Sequence, residues 1–171
     1  MDRIMNCGVF VENFSLKDLN NIQHGLHDYL GKIVVINFWS AECPWAKRFD
    51  ETVLPMVERW GGEVSLLQVA SNANERLDEI ANVAKERGLA PILLDSDQTV
   101  AHMFGAITTP HIFVIDREGV LRFQGAWDDV KFRQPEPTVN YLKKVVDVLL
   151  AGEIPDPDSV DPYGCTVVYQ V

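Results

Sequence analysis

Residues 33–39, Ile33-Val34-Val35-Ile36-Asn37-Phe38-Trp39, form an almost unbroken apolar run of β-branched and aromatic residues just after Gly31 and Lys32. Without polar alternation, such a run reads as a central strand buried on both faces, the kind that belongs to sheets covered by helices on both sides. Behind it, residues 44–60 carry helical spacing. Trp45, Phe49, Val53, Met56, Val57 and Trp60 recur at three and four positions, while Lys47, Arg48, Asp50 and Glu51 fall elsewhere, so Asp50 is expected on the polar side. Pro55 is expected to kink this helix, and Gly61-Gly62 to close it. Further along, residues 64–70 read as a second apolar strand ending in the polar Ser71-Asn72-Ala73-Asn74, which suits the cap of a helix over 75–87 that stops at Gly88. A short strand at 90–94, a short helix at 99–104, a hairpin of strands at 111–116 and 121–125, and an amphipathic helix at 138–150 follow. Residues 10–30 have weak periodicity and read as short strands and turns. The expected order from the first strong strand is β-α-β-α-β-α-β-β-α, an α/β architecture.

Composition narrows the function classes. The 171 residues, 47% hydrophobic and 23% charged, suffice for one ordinary core. With 25 acidic against 15 basic residues, the formal charge of −10 repels phosphate backbones and anionic membranes, so neither nucleic acid nor a membrane surface is an expected partner. No apolar run approaches the roughly 20 residues that span a bilayer, and the first ten residues lack the core of a signal peptide. Three cysteines, Cys7, Cys43 and Cys165, are too few for a secreted disulfide scaffold and too scattered for a zinc knuckle. A cytoplasmic location is therefore expected, with no metal and no cofactor. His24, His27 and His102 show no ligand spacing.

Cys43 stands directly after the buried strand and before Pro44, a residue suited to the first turn of a helix. That position sets its sulfur by first-turn N–H groups and the positive end of the helix dipole, which favour thiolate. Cys43 is the candidate nucleophile; the competing reading is a small buried hydrophobe at a strand end.

The stretch Phe38-Trp39-Ser40-Ala41-Glu42-Cys43-Pro44-Trp45-Ala46-Lys47, with Thr109-Pro110 before a later apolar strand, resembles the active-site turn and cis-proline loop of the thioredoxin superfamily. The likeness runs from about residue 14 to 150. The run Gly-Ala-x-x-Thr-Pro-x-x-Phe-Val-Ile-Asp at 105–116 and the terminal Tyr-Gly-Cys-Thr-Val are similar to the redoxin, peroxiredoxin-like branch of the alkyl hydroperoxide reductase and thioredoxin-like group. The resemblance implies a three-layer α/β/α domain over residues 1–151 with a mixed central sheet, followed by a proline-rich tail, 152–171, that carries Cys165. It also implies a thiol-dependent oxidoreductase that uses Cys43 and exchanges with a protein or small-molecule thiol or disulfide, with peroxide as an alternative. Thr109 and Pro110, the latter cis, are the implied substrate-binding residues.

Departures from the family pattern sharpen the expectation. The second cysteine of the thioredoxin motif is replaced by Ala46, so dithiol exchange at this helix alone is impossible. The family's buried aspartate corresponds to Asn37. Ser40 fits the hydroxyl position of a peroxiredoxin motif, but Ile36 takes its proline position, and Arg48, Arg117 and Arg122 read equally well as surface charges. A resolving thiol must then come from Cys165 or from an external thiol such as glutathione. Cys165 lies 122 positions after Cys43 on a tail that could fold back; otherwise it is incidental. Cys7, near the N-terminus, reads as incidental. Trp39 reads as core. Trp45 reads either as core or as an apolar rim for substrate. His111 either lowers the thiol pKa or points away from it, and Glu42 reads as solvent-exposed. Three readings stay open: a thiol oxidoreductase, a thiol peroxidase, and a non-catalytic module that holds an extended peptide along the cis-proline groove. Oligomeric state is not legible.

Overall fold

In the computed structural model, which describes residues 3–171, the chain opens with a hairpin, β1 (Ser15–Asp18) and β2 (Gln23–Gly25), and a 3₁₀ turn at Leu26–Tyr29. It continues through β3 (Ile33–Trp39), α1 (Pro44–Trp60), β4 (Val64–Ala70), α2 (Leu77–Arg87), β5 (Ile92–Leu94) and α3 (Thr99–Phe104). After these come β6 (Thr108–Thr109), β7 (Ile112–Ile115), β8 (Leu121–Gly125), α4 (Tyr141–Leu150) and β9 (Cys165–Thr166). Seven strands form one mixed sheet in the order β2-β1-β5-β4-β3-β7-β8. Within it β3, β4 and β5 are parallel, while β7 and β8 on one side and β1 and β2 on the other are antiparallel. Every residue of β3 is buried, as its uniform apolarity requires of the central strand. Alternate β3 side chains feed two cores. Val34, Ile36 and Phe38 pack with Phe104, Phe113 and Val11, whereas Ile33 and Val35 pack with Phe49, Val53, Val146 and Leu149.

Helix α1 runs through Pro55 as one helix from Pro44 to Trp60. Its inner stripe is Ala46, Phe49, Val53 and Met56, but Asp50 belongs to that stripe too, at 2% exposure, which corrects its expected place on the polar side. The reason is tertiary: Asp50 accepts hydrogen bonds from Trp39 Nε1 (2.9 Å) and Gln68 Nε2 (2.7 Å) and pairs with Arg87 (2.9 Å). Two expected helices start late. Helix α2 begins at Leu77, and α4 at Tyr141, because Asp129 holds the Thr138 and Val139 N–H groups and Asn140 caps the helix through the Lys143 N–H. The strand expected from residue 90 begins at Ile92, after a cis Ala90-Pro91 bond.

Strands β6 and β9, absent from the expected order, form a second, two-stranded sheet. Each is only two residues long. The last residues of the chain reach β6 by packing back along the domain: Val167 is buried in the core with Phe104 and Ala106, and the Tyr169 hydroxyl donates to the Ala106 carbonyl (2.5 Å).

Candidate active site

Cys43 occupies the N-cap of α1 with extended backbone (φ −82°, ψ 120°), and Pro44 fills the first helical position. Pro44 has no N–H, so the first-turn donors lacking intrahelical acceptors begin at Trp45. The residue is 3% exposed, in a cluster with Trp39, Ala46 and Ala70. Its Sγ lies 3.2 Å from the Thr109 carbonyl oxygen. The Thr109-Pro110 bond is cis, and Thr109 is buried.

Cys165 is joined to Cys43 in a disulfide, with a Cα–Cα separation of 6.2 Å, inside the range such a bond requires. The pairing rests on the second sheet, in which Cys165 stands opposite Thr109 and Thr166 opposite Thr108. Gly164 makes this approach possible. A Cβ there would collide with the Thr109 carbonyl oxygen and stand 3.1 Å from Pro110 Cδ, so only glycine lets the tail lie this close to the loop. Beyond Cys165 the anchors are dense. Val167 N–H donates to the Ile107 carbonyl (3.0 Å), Val168 N–H to Asn72 Oδ1 (2.8 Å), and Gln170 N–H to Gln98 Oε1 (2.7 Å). Before it, Tyr163 packs edge-on against Trp45, ring centroids 5.0 Å apart, leaving Trp45 half-buried.

The surroundings separate polar roles that the sequence left open. Asn37 donates from Nδ2 to Gln68 Oε1 (2.7 Å), and its own carbonyl oxygen is buried without a partner. The chain of contacts continues through Gln68 to Asp50. Burial pushes the Asp50 carboxyl above its ordinary range, against the lowering effects of Trp39, Arg87 and Gln68. His111 makes its contacts away from the sulfurs. Its Nδ1 takes the Ile107 N–H (3.3 Å), Nε2 meets Gln124 Oε1 (2.8 Å), and the ring lies against Phe113. Burial lowers its pKa from 6.5 to about 4, so it is neutral at physiological pH.

Arg48 is not a free surface charge: it pairs with Asp128 (2.5 Å) and lies over the Trp127 ring, 4.7 Å from its centroid. Arg117 and Arg122 pair with Glu63 and Asp116. Glu42 is exposed. Cys7 sits 3.2 Å from the Asp158 carbonyl, and burial pushes its thiol up to about 11, which leaves it protonated and unreactive at neutral pH.

Glu75 carries no sequence signal of a place at the site, whereas Tyr163 belongs to the terminal Tyr-Gly-Cys-Thr-Val stretch. Glu75 accepts from the Ser40 hydroxyl and from the Glu42 N–H (3.3 Å), bracing the turn that delivers Cys43, and Tyr163 closes the Trp45 side. Glu75 follows the polar stretch 71–74 and is inconspicuous there. A cleft of about 450 Å³ between α4 and residues 155–157 is lined by Phe123, Val145 and Pro157, with neither sulfur in its wall. Trp45, Pro110 and Tyr163, sequence neighbours of Cys43, Thr109 and Cys165, wall a small depression together with Arg48 and Trp127. Among the described residues no group of three or more His, Cys, Asp or Glu side chains could hold a metal ion, and no helix is long and apolar enough to cross a membrane.

Comparison with known proteins agrees with this geometry. The thiol-disulfide oxidoreductase ResA of Geobacillus thermodenitrificans (strain NG80-2) is 30% identical over 119 residues, 67% of this chain and 66% of the relative, so the chain spans about two thirds of that protein's length. A hypothetical protein of Sinorhizobium meliloti 1021 has the same fold at a TM-score of 0.89 and 24% identity, over 99% of this chain and 98% of that one. The thioredoxin domain of a thiol-disulfide oxidoreductase from Bacteroides vulgatus matches at a TM-score of 0.67 and 19% identity, over 85% of this chain and 99% of that one. The mixed sheet flanked by helices is thus a thioredoxin fold, and because the model of the AhpC/TSA family matches residues 7–124, well over half of the sequence, the chain belongs to the AhpC/TSA family.

Proposed function

We propose that this protein is a thiol-disulfide oxidoreductase in which Cys43 attacks and Cys165 resolves. The Cys43 thiolate, favoured at the start of α1, adds to one sulfur of a substrate disulfide and expels the other as a thiolate. The Cys165 thiolate then attacks Cys43 Sγ, releasing the second substrate thiolate and leaving the Cys43–Cys165 disulfide. Two electrons pass from the cysteine pair to the substrate. The observation that carries this reading is the joining of the two sulfurs across 122 positions, which supplies the second thiol that Ala46 denies to the helix.

Two other readings fare less well. In a passive peptide-holding module the Thr108–Thr109 edge would be open, but here β9 is paired to it. For peroxide reduction a guanidinium free to polarise the peroxide is wanted; that of Arg48, on the wall of the depression, is engaged by Asp128 and Trp127. Trp45, Thr109 and Pro110 shape the approach to the sulfurs.

The test uses two variants and bis(2-hydroxyethyl) disulfide as substrate. Reduced Cys165→Ser should accumulate a mixed disulfide on Cys43. Cys43→Ser should lose exchange by about 10³-fold or more, the scale on which removing a nucleophile acts. Equal reactivity of Cys43→Ser and the unaltered protein would overturn the assignment.

A further inference from the structure

With the tail docked, Cys43 is more deeply buried than Cys165. Cys43 is 3% exposed, enclosed by Trp39, Ala46 and Ala70, with the Thr109 carbonyl oxygen at 3.2 Å. The β9 pairing also removes the Thr108–Thr109 edge along which an extended chain could align beside that sulfur. Cys165, on the outer strand of the same pair, is only partly buried. The two sulfurs differ as leaving groups as well. A thiolate released at position 43 gains the start of a 17-residue helix, whereas one released at position 165 has a two-residue strand. Exchange is faster when the sulfur attacked is accessible and when the thiol expelled is the more acidic. Both conditions name the same direction.

We propose, resting on the reading of Cys43 and Cys165 as a redox pair, that electrons return to the oxidised protein through Cys165, from a low-molecular-weight thiol. The thiol loses its proton to solvent, and its thiolate attacks Cys165 Sγ. A bond forms between the incoming sulfur and Cys165, the Cys43–Cys165 bond breaks, and the electron pair leaves on Cys43 as a thiolate. A second thiolate then attacks the incoming sulfur of the mixed disulfide. This releases the small disulfide and a Cys165 thiolate that takes up a proton. Two thiols are oxidised and one protein disulfide is reduced. Once the disulfide is open, the segment up to Cys165 is released from Thr109 and uncovers Cys43 for the oxidising substrate, while the chain beyond it, held through Val167, Val168 and Gln170, keeps Cys165 nearby. Attack on oxidising substrate and entry of reductant therefore use different sulfurs: Cys43 for the first and Cys165 for the second.

The experiment takes the oxidised full-length protein, adds 2-mercaptoethanol, and quenches at successive short times with N-ethylmaleimide before peptide mapping. Extrapolated to zero time, the product with mercaptoethanol on Cys165 and maleimide on Cys43 should exceed the reverse product by about tenfold, since the better-stabilised leaving thiolate and the more accessible sulfur act in the same direction. An even mixture, or a majority with mercaptoethanol on Cys43, overturns the inference and leaves the redox pair standing. Failure to find a Cys43–Cys165 disulfide in diamide-oxidised protein overturns the pair itself, and the inference with it.

Discussion

The two sulfurs of this site are held by different kinds of structure. Cys43 is set by its immediate neighbours in sequence, a buried strand ending at Trp39, a four-residue turn and a proline-led helix. Cys165 is set by residues that are far from it in the chain: Thr109, Ile107, Asn72 and Gln98. The thioredoxin arrangement places both thiols on one helix; here Ala46 stands in the second place, and the cysteine joined to Cys43 is on a returning strand. On the proposed reading, a nucleophile placed locally should keep its seat in either redox state, while a partner placed by tertiary contacts should depend on the whole domain being folded.

The largest test of that contrast is reduction itself. Closing a loop between positions 122 apart removes much of the unfolded chain's freedom, so the oxidised protein should exceed the reduced one by roughly 3 to 5 kcal/mol in urea unfolding at pH 7. Because the anchors at Val167, Val168 and Gln170 do not involve sulfur, the backbone amides of these three residues should keep their protection from hydrogen exchange after reduction. Loss of that protection would mean that the disulfide, and not the packing, seats the tail.

A second test acts on the platform where the tail docks. His111 is buried neutral, its pKa lowered from 6.5 to about 4, and its Nδ1 accepts the N–H of Ile107, the residue whose carbonyl receives Val167. Between those two values the unfolded chain binds the proton and the folded chain does not. Stability from this group is therefore fully present above about pH 6.5 and is lost as pH falls towards 4, by roughly 3 kcal/mol over the window. His111→Gln should flatten that part of the pH profile of urea unfolding. An unchanged slope between pH 6.5 and 4 would show that the ring is not the titrating group.

The same contrast explains what could be read from the chain alone. Strands β3, β4, β7 and β8, helices α1 to α4 and the seat of Cys43 all rest on local periodicity, caps and one proline, and these survive into the structure with shifts of a few residues at the ends. Strands β6 and β9 do not, because a two-residue strand has no periodicity and is defined only by its partner. Asp50 misled for a related reason. A carboxylate among Lys47, Arg48 and Glu51 looks solvated, and only Trp39, Gln68 and Arg87, brought in from other elements, make its burial tolerable. The tail's proline-rich start reads as a loop, whereas Val167 behind it belongs to the core and Tyr169 packs against it. Proximity of Cys165 to Cys43 stood as one of two alternatives, since nothing in the intervening residues encodes the register Thr109–Cys165.

The smallest test separates core packing from chemistry. Val167 is 4% exposed and contributes its side chain to the cluster around Phe104 and Ala106 while its N–H holds Ile107. Val167→Ala leaves that hydrogen bond and every group at the sulfurs in place, and removes two methyl groups from the core, a loss of about 2 kcal/mol. If the tail is seated by packing, the loss should appear in urea unfolding of the reduced protein as well as the oxidised one, and closure of the Cys43–Cys165 disulfide should slow, because the open tail is populated more often. Reactivity of Cys43 towards a small disulfide in a Cys165→Ser background should be unchanged by the same substitution, since the strand, turn and helix that hold that sulfur are untouched. A fall in Cys43 reactivity there would instead show that the nucleophile's seat is itself completed by the tail, and that the division between a locally built thiol and a tertiary one does not hold.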